Sequence, residues 1–170
     1  YLDVLEKEYA YWMQGNSALQ VSGGTLNRYW DEHSTPRPEA YKEDMELAHS
    51  STQTPGEIYK HIRAAAASGW DFSTRWFKNQ NDFASIHTTD ILPVDLNALL
   101  YLFESILAKA YEEKGAMQKA NEMHSASAER KRQVLQYSTQ SLKFTQYNFL
   151  NILNTIFYSQ SLACWYYFFG

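Results

Sequence analysis

The sequence has a single cysteine, Cys164, among 170 residues, so no disulfide can close within the chain and stability must come from a core rather than from stapling. It also lacks any block of like charge: 15 Lys and Arg are interspersed with 19 Asp and Glu, for a formal charge of -4. The electrostatic footprint of a nucleic-acid or anionic-membrane partner is therefore missing, and a small neutral ligand fits the balance better. No uninterrupted apolar run is long enough to cross a bilayer. The most apolar stretch, 149–169, is broken by Asn151, Asn154, Gln160 and two serines, each costly in hydrocarbon, so no transmembrane segment is expected. The five histidines, His33, His49, His61, His87 and His124, are scattered without ligand spacing, so no metal site is expected. Gly23-Gly24 lacks the flanking strand and helix start that a phosphate or dinucleotide loop requires. The opening Tyr1-Leu2-Asp3-Val4 carries neither an initiator methionine nor a basic-then-apolar leader, and the chain reads as a fragment.

What is present is apolar material for one core of ordinary domain size, at 45% hydrophobic and 16% aromatic residues. From Leu2, the residues Leu5, Tyr9 and Trp12 recur at helical spacing with charges between them, predicting an amphipathic helix that stops near Gly15-Asn16. Gly23-Gly24 between short runs containing Val21, Thr25 and Leu26 suits a turn or small hairpin. The prolines of Thr35-Pro36-Arg37-Pro38 hold their predecessors extended, after which a helix can run from Pro38 to about Ser50, burying Tyr41, Met45 and Ala48. Thr54-Pro55-Gly56-Glu57 has a hydroxyl at the N-cap, proline at the first helical position and glutamate at the third, a capping box that starts a helix. That helix should carry Ile58, Ile62 and Ala65 inward and end before Ser68-Gly69. Asp95 is expected to cap a long helix with Leu96, Leu99, Leu100, Phe103, Leu107 and Ala110 as its apolar stripe. A partner helix follows from about Ala116 to Tyr137. From Ser138 onward no clean period emerges. Four or five helices with little strand place the chain in the all-α class, with helix-end loops lining a site.

Two segments could carry chemistry. In Ser68-Gly69-Trp70-Asp71-Phe72-Ser73-Thr74-Arg75-Trp76 a carboxylate stands among aromatic rings just past a helix end. Rings can stack on the apolar face of a pyranose, and partial burial would keep the carboxyl protonated and able to act as a general acid. The same Asp71 could equally be a helix cap or the partner of Arg75. In Arg37-Pro38-Glu39 a guanidinium fork and a carboxylate flank a rigid proline, an arrangement able to hold sugar hydroxyls through charge-assisted bonds. A surface ion pair with Glu39 in a favourable first turn is the other reading.

These segments, with Pro93-Val94-Asp95-Leu96-Asn97 and Asn27-Arg28-Tyr29-Trp30-Asp31 in the same order, resemble the trehalases, and the similarity covers about residues 1–130. The resemblance implies an (α/α)6 barrel, here partial, whose paired antiparallel helices place their loops around a pocket. It implies inverting hydrolysis of trehalose to two glucoses with no metal or organic cofactor, in a secreted, periplasmic or cytoplasmic setting. By the family's motif Asp71 corresponds to the general acid, while Arg37, Pro38, Glu39 and Gly69 correspond to substrate-binding positions. The family's base is a glutamate in a downstream segment with no counterpart here. Glu104, Glu112 and Glu113 lie on predicted helices without matching context, so the fragment is expected to be inactive by itself. Residues 1–132 are assigned to a trehalase-like catalytic fragment and 133–170 to a divergent tail. The alternative is a noncatalytic carbohydrate-binding or inactive remnant of the family.

Overall fold

The computed structural model describes residues 1–21 and 23–140; the apolar stretch 149–169 and Cys164 lie outside the described residues. The fold class is all-α: α1 (Leu2–Trp12), α2 (Tyr41–Ser50), α3 (Pro55–Ala67), α4 (Val94–Glu113) and α5 (Met117–Gln140), with one two-stranded sheet of β1 (Ala18–Val21) and β2 (Gly24–Asn27). No described helix is long and apolar enough to cross a membrane.

The chain divides into two compact units. One comprises residues 1–7, 23–25 and 94–140. Its frame is the α4–α5 pair, whose contacts Asn97–Arg130 and Glu112–His124 run in opposite sequence directions, as in an antiparallel hairpin. Leu96, Leu100, Leu107 and Ala108 of α4 are buried with Ala120 and Val134 of α5. Among these apolar residues Arg130 donates from Nε and Nη2 to Glu104 at 2.9 and 2.8 Å and from Nη1 to Asn97 at 2.9 Å, with all three residues at most 2% exposed. The α5 helix continues through position 133, with Gln133 and Val134 buried. In the same unit the Glu6 carboxylate accepts from the Tyr111 hydroxyl at 2.6 Å and from Lys119 at 2.8 Å. Burial, then this bond, pushes the Tyr111 phenol up to about 12.

The other unit comprises residues 8–21 and 26–93. The capping box forms: Glu57 accepts from the Thr54 backbone N–H at 2.9 Å and from its hydroxyl at 2.7 Å. From that start α3 buries Ile58, His61, Ile62, Ala64 and Ala65. Trp12, Tyr29 and Trp76 follow one another edge-to-face at 6.2 and 6.1 Å, with Trp76 fully buried. That geometry suits the ring quadrupoles and adds to the burial of the rings themselves.

Three expectations need correction. Tyr41 is 58% exposed, and Asp44 takes the inward position beside Ala48. Tyr41 lies on the Ala48 side of the helix, seven residues or about 20° away at 100° per residue, but it opens α2 directly after the 3-10 turn Pro38–Ala40, at the exposed end of that face. Leu99 is 58% exposed because the buried face of α4 runs through Asn97, Leu100, Glu104, Leu107 and Tyr111, leaving Leu99 about 120° from its centre at 100° per residue. Asp95 lies inside the first turn of α4 rather than at its cap, with Oδ1 accepting from the Leu96 N–H at 3.1 Å.

Candidate functional site

The end of α3 sets the first half of the site. Ser68 donates its hydroxyl to the Ala65 carbonyl at 2.6 Å and accepts from the Trp70 N–H at 3.0 Å, closing the last turn. Gly69 then takes φ +71°, the left-handed conformation that glycine supplies most readily at a helix end. Asp71 follows at φ +37°, the one described non-glycine residue with positive φ. Aspartate tolerates this region better than most side chains, yet a residue held there still carries strain that the surrounding structure must offset. The Ser73 N–H donates back to the Trp70 carbonyl at 3.1 Å, and the Ser73 hydroxyl caps the short turn Thr74–Trp76.

The consequence is a loop that alternates in and out. Trp76 goes fully inward, Phe72 is half-buried and packs on Phe83 at 4.9 Å, while Trp70 and Asp71 are exposed. The ring-lined shelter anticipated for Asp71 is therefore not formed by the described residues; two left-handed residues in three turn its carboxyl outward. Neither structural alternative for Asp71 holds, because it makes no hydrogen bond and no ion pair among the described residues. The Arg75 guanidinium instead lies over the rings of Trp70 and Trp76 at 5.0 and 4.8 Å.

The second half comes from the approach to α2. Arg37 is extended, at φ −69° and ψ 137°, as a residue before proline must be. The segment leading to it is braced against α3: Asp31 Oδ1 accepts from Arg63 Nε at 3.0 Å and from the His33 N–H at 2.7 Å. Burial pushes the Asp31 carboxyl up, but the bonds from His33 and Arg63 outweigh it and leave the group below its ordinary value. Arg37 does not pair with Glu39 in a surface bridge. It meets Asp44, whose Oδ2 accepts from the Arg37 backbone N–H at 2.9 Å and Nε at 3.0 Å, and whose Oδ1 accepts from Nη2 at 2.8 Å. The side chains are 14% and 3% exposed.

The two halves meet at the guanidinium. Arg37 lies over the Phe72 ring at 4.8 Å, next in sequence to Asp71. Its pKa is raised first by the hydrogen bonds to Asp44, against burial, and further by the nearby charges of Asp44, Glu39 and Asp71. Arg37, Glu39 and Asp71 thus share one electrostatic neighbourhood. Pro38 opens the 3-10 turn and is exposed, as is Glu39, and Gly69 is exposed with open space where a Cβ would stand.

Asp44 is the residue that the sequence reading missed. Its signal was available: an acid four positions before Ala48, on the inward phase of a short helix, needs a cationic partner. The glutamates not nominated are engaged elsewhere, Glu104 with Arg130 and Glu112 with His124 at 2.8 Å. No group of three potential metal ligands occurs among the described residues.

The sequence profile of the family described as Trehalase matches residues 1–160 of this chain, further than the similarity traced to about Arg130. The chain is 46% identical over 144 residues to a periplasmic trehalase of Citrobacter koseri, an alignment covering 78% of this chain and 25% of that protein. It is 46% identical over 148 residues to a periplasmic trehalase of Pseudomonas aeruginosa, covering 80% and 27%, respectively. A periplasmic trehalase of Salmonella newport is 48% identical over 149 residues, covering 73% and 26%. The chain spans about a quarter of the length of these relatives.

Proposed function

The chain belongs to the trehalase family, and from that premise we propose that it carries the acid half of a trehalose-hydrolysing site on part of an (α/α)6 barrel. Asp71 donates a proton to the glycosidic oxygen, Arg37 and Glu39 hold glucose hydroxyls as donor and acceptor, and Pro38 and the Gly69 backbone region belong to the same substrate-binding surface. In the inverting reaction a second carboxylate, about 6.5–9.5 Å from the acid, draws a proton from the attacking water. No residue of this chain is assigned that part. The observation that carries the reading is the convergence of Arg37, Glu39 and Asp71: both carboxylates act on the one guanidinium, which itself lies over the ring following Asp71.

An outward-facing Asp71 has a physical consequence. Exclusion of solvent is what keeps a catalytic carboxyl protonated, so Asp71 needs further walls before it can act as a general acid. The exposure of Asp71 accordingly favours, for the chain by itself, the second reading: a sugar-binding surface without turnover.

Two measurements test both levels. Calorimetric titration of the chain with trehalose should show binding that Arg37→Ala abolishes, with no glucose released; absence of binding by the unmodified chain would remove the sugar site. Grafting this chain in place of the matching segment of the Pseudomonas aeruginosa relative supplies a setting for turnover. There Asp71→Asn, which keeps the side-chain shape and tolerates the left-handed backbone, should eliminate glucose release while trehalose still binds. Undiminished release would take the acid role away from Asp71.

A further inference from the structure

Arginine has five donors in a rigid fork, and a sugar-binding role requires some of them to remain available in a fixed direction. In Arg37 the Nε and Nη2 edge is occupied by the two carboxylate oxygens of Asp44, at 3.0 and 2.8 Å. Asp44 Oδ2 also accepts from the backbone N–H of Arg37 at 2.9 Å, so one buried acid fixes both the main chain and the head group. The Cζ of Arg37 lies over the Phe72 ring, 4.8 Å from its centroid. Nη1 makes no hydrogen bond among the described residues. A flexible side chain is therefore held along one edge by Asp44, with the Phe72 ring beside it.

We infer that Asp44 is a positioning residue for trehalose binding: through its bidentate contact it aims the Nη1 edge of Arg37 at a sugar hydroxyl on the Asp71 side of the loop. This rests on the proposed sugar-binding role of Arg37 and adds the group that makes Arg37 competent for it. Asp44 does not touch the sugar. Its negative charge offsets the guanidinium's, so a neutral hydroxyl is bound by direction rather than by net charge, and an anionic sugar such as a phosphorylated one gains less there than at an unpaired arginine.

The test is a double-mutant cycle read by calorimetric titration with trehalose, with the thermal midpoint of each variant alongside. Asp44→Asn should weaken trehalose binding by roughly tenfold or more, about the worth of one charge-assisted hydrogen bond. In an Arg37→Lys background, where no planar fork remains to be aimed, the same substitution should change binding by less than about twofold. Equal losses in both backgrounds, or a loss that merely follows the thermal midpoint, overturn the positioning role. Nitrogen-15 spectra of the Arg37 side chain in the unmodified chain give a second reading that needs no variant to fold. They should show slowly exchanging Nε–H and Nη2 protons and a shift of Nη1 when trehalose is added. A guanidinium that rotates freely overturns the inference even where trehalose binds. If trehalose does not bind, the sugar-binding reading and the positioning role both fail, while restricted Nε and Nη2 protons would still report the Asp44 contact as a structural one.

Discussion

Removing Arg130 should be the most damaging single change in the α4–α5 unit. Arg130 and Glu104 are 2% and 1% exposed and joined by two bonds to the same carboxylate oxygen, with Asn97 on a third. Hydrogen bonds to charged groups contribute about 1.5–3 kcal/mol each, but the larger cost is that Arg130→Met takes the cation away from a buried carboxylate. Breaking such a pair from one side costs about 3–5 kcal/mol, whereas replacing both partners with apolar residues of similar volume is often close to neutral. At roughly 2–4 °C per kcal/mol for a chain of this size, the single variant should lose about 6–20 °C in thermal midpoint.

The double variant Glu104→Leu/Arg130→Met should recover most of that loss. Recovery should stop short of complete, because the Asn97 side chain also loses its bond to Arg130, at a cost of about 1–3 kcal/mol for a buried polar group. Far-UV circular dichroism is the suitable assay, since α4 and α5 are the two longest helices among the described residues. A single-variant loss below about 1 kcal/mol, where an exposed ion pair belongs, would refute the argument. A double variant no better than the single one would refute it too.

Four further outcomes follow from the same reasoning. Burial first, and then nearby positive charge from His87 and Lys78, holds the His61 imidazole below its ordinary value against the opposing pull of Asp90 and Glu57. The unfolded chain therefore takes up that proton first, and stability should fall as pH drops from about 6.5 towards the lower folded value; His61→Asn, which keeps an acceptor for Thr89, should flatten denaturant midpoints over that window. Because the folded Tyr111 phenol sits at about 12, above its ordinary value, stability should decline as pH rises through 10 towards 12, and Tyr111→Phe should remove the last step of a tyrosinate absorbance titration. Thr54→Ala removes one side of the capping box and should raise hydrogen exchange in the first turn of α3 before it affects the last. Gly24→Ala places a Cβ 2.8 Å from Glu129 Oε1 and 3.2 Å from Gln133 Cγ, so Glu129 must swing away from Arg132 and Gln133, and the thermal midpoint should drop.

The parts of this fold that could be read from sequence are those where one local rule decides the outcome. Leu5, Tyr9 and Trp12 mark α1, Gly23-Gly24 marks the hairpin, and the Thr54-Glu57 box marks the start of α3; each element is found at its expected place. Ser68-Gly69 ends α3 as glycine allows. The misreading of Leu99 concerns helix phase, that of Tyr41 an exposed helix end, and that of Asp95 the boundary of α4. A run of apolar residues reports that a helix has an inner face but not where its centre lies, and in both α2 and α4 the centre is occupied by polar side chains. Tyr41 and Leu99 were counted inward because they are apolar, while Asp44, Asn97 and Glu104 hold the inward positions. Hydrophobic patterning does not report Asn97 and Glu104, whose burial is made tolerable by a partner far away in sequence, whereas Asp44 is held by Arg37 only seven positions before it. Arg130 lies 26 residues from Glu104.

The same blind spot separates the two halves of the candidate site. Arg37, Pro38, Glu39, Gly69 and Asp71 were legible because they are contiguous motifs, but a motif states which residues are present and not what holds them. Sequence suggested that the aromatic neighbours of Asp71 would surround it; the structure instead uses Phe72 to carry Arg37, Trp70 and Trp76 to carry Arg75, and two left-handed residues to send the carboxyl outward. Rings that hold guanidinium groups are not at the same time closing over an acid. The aromatic wealth of this loop is therefore better understood as a device for orienting cations beside Asp71 than as the apolar wall that would keep it protonated, and any wall has to come from residues other than these.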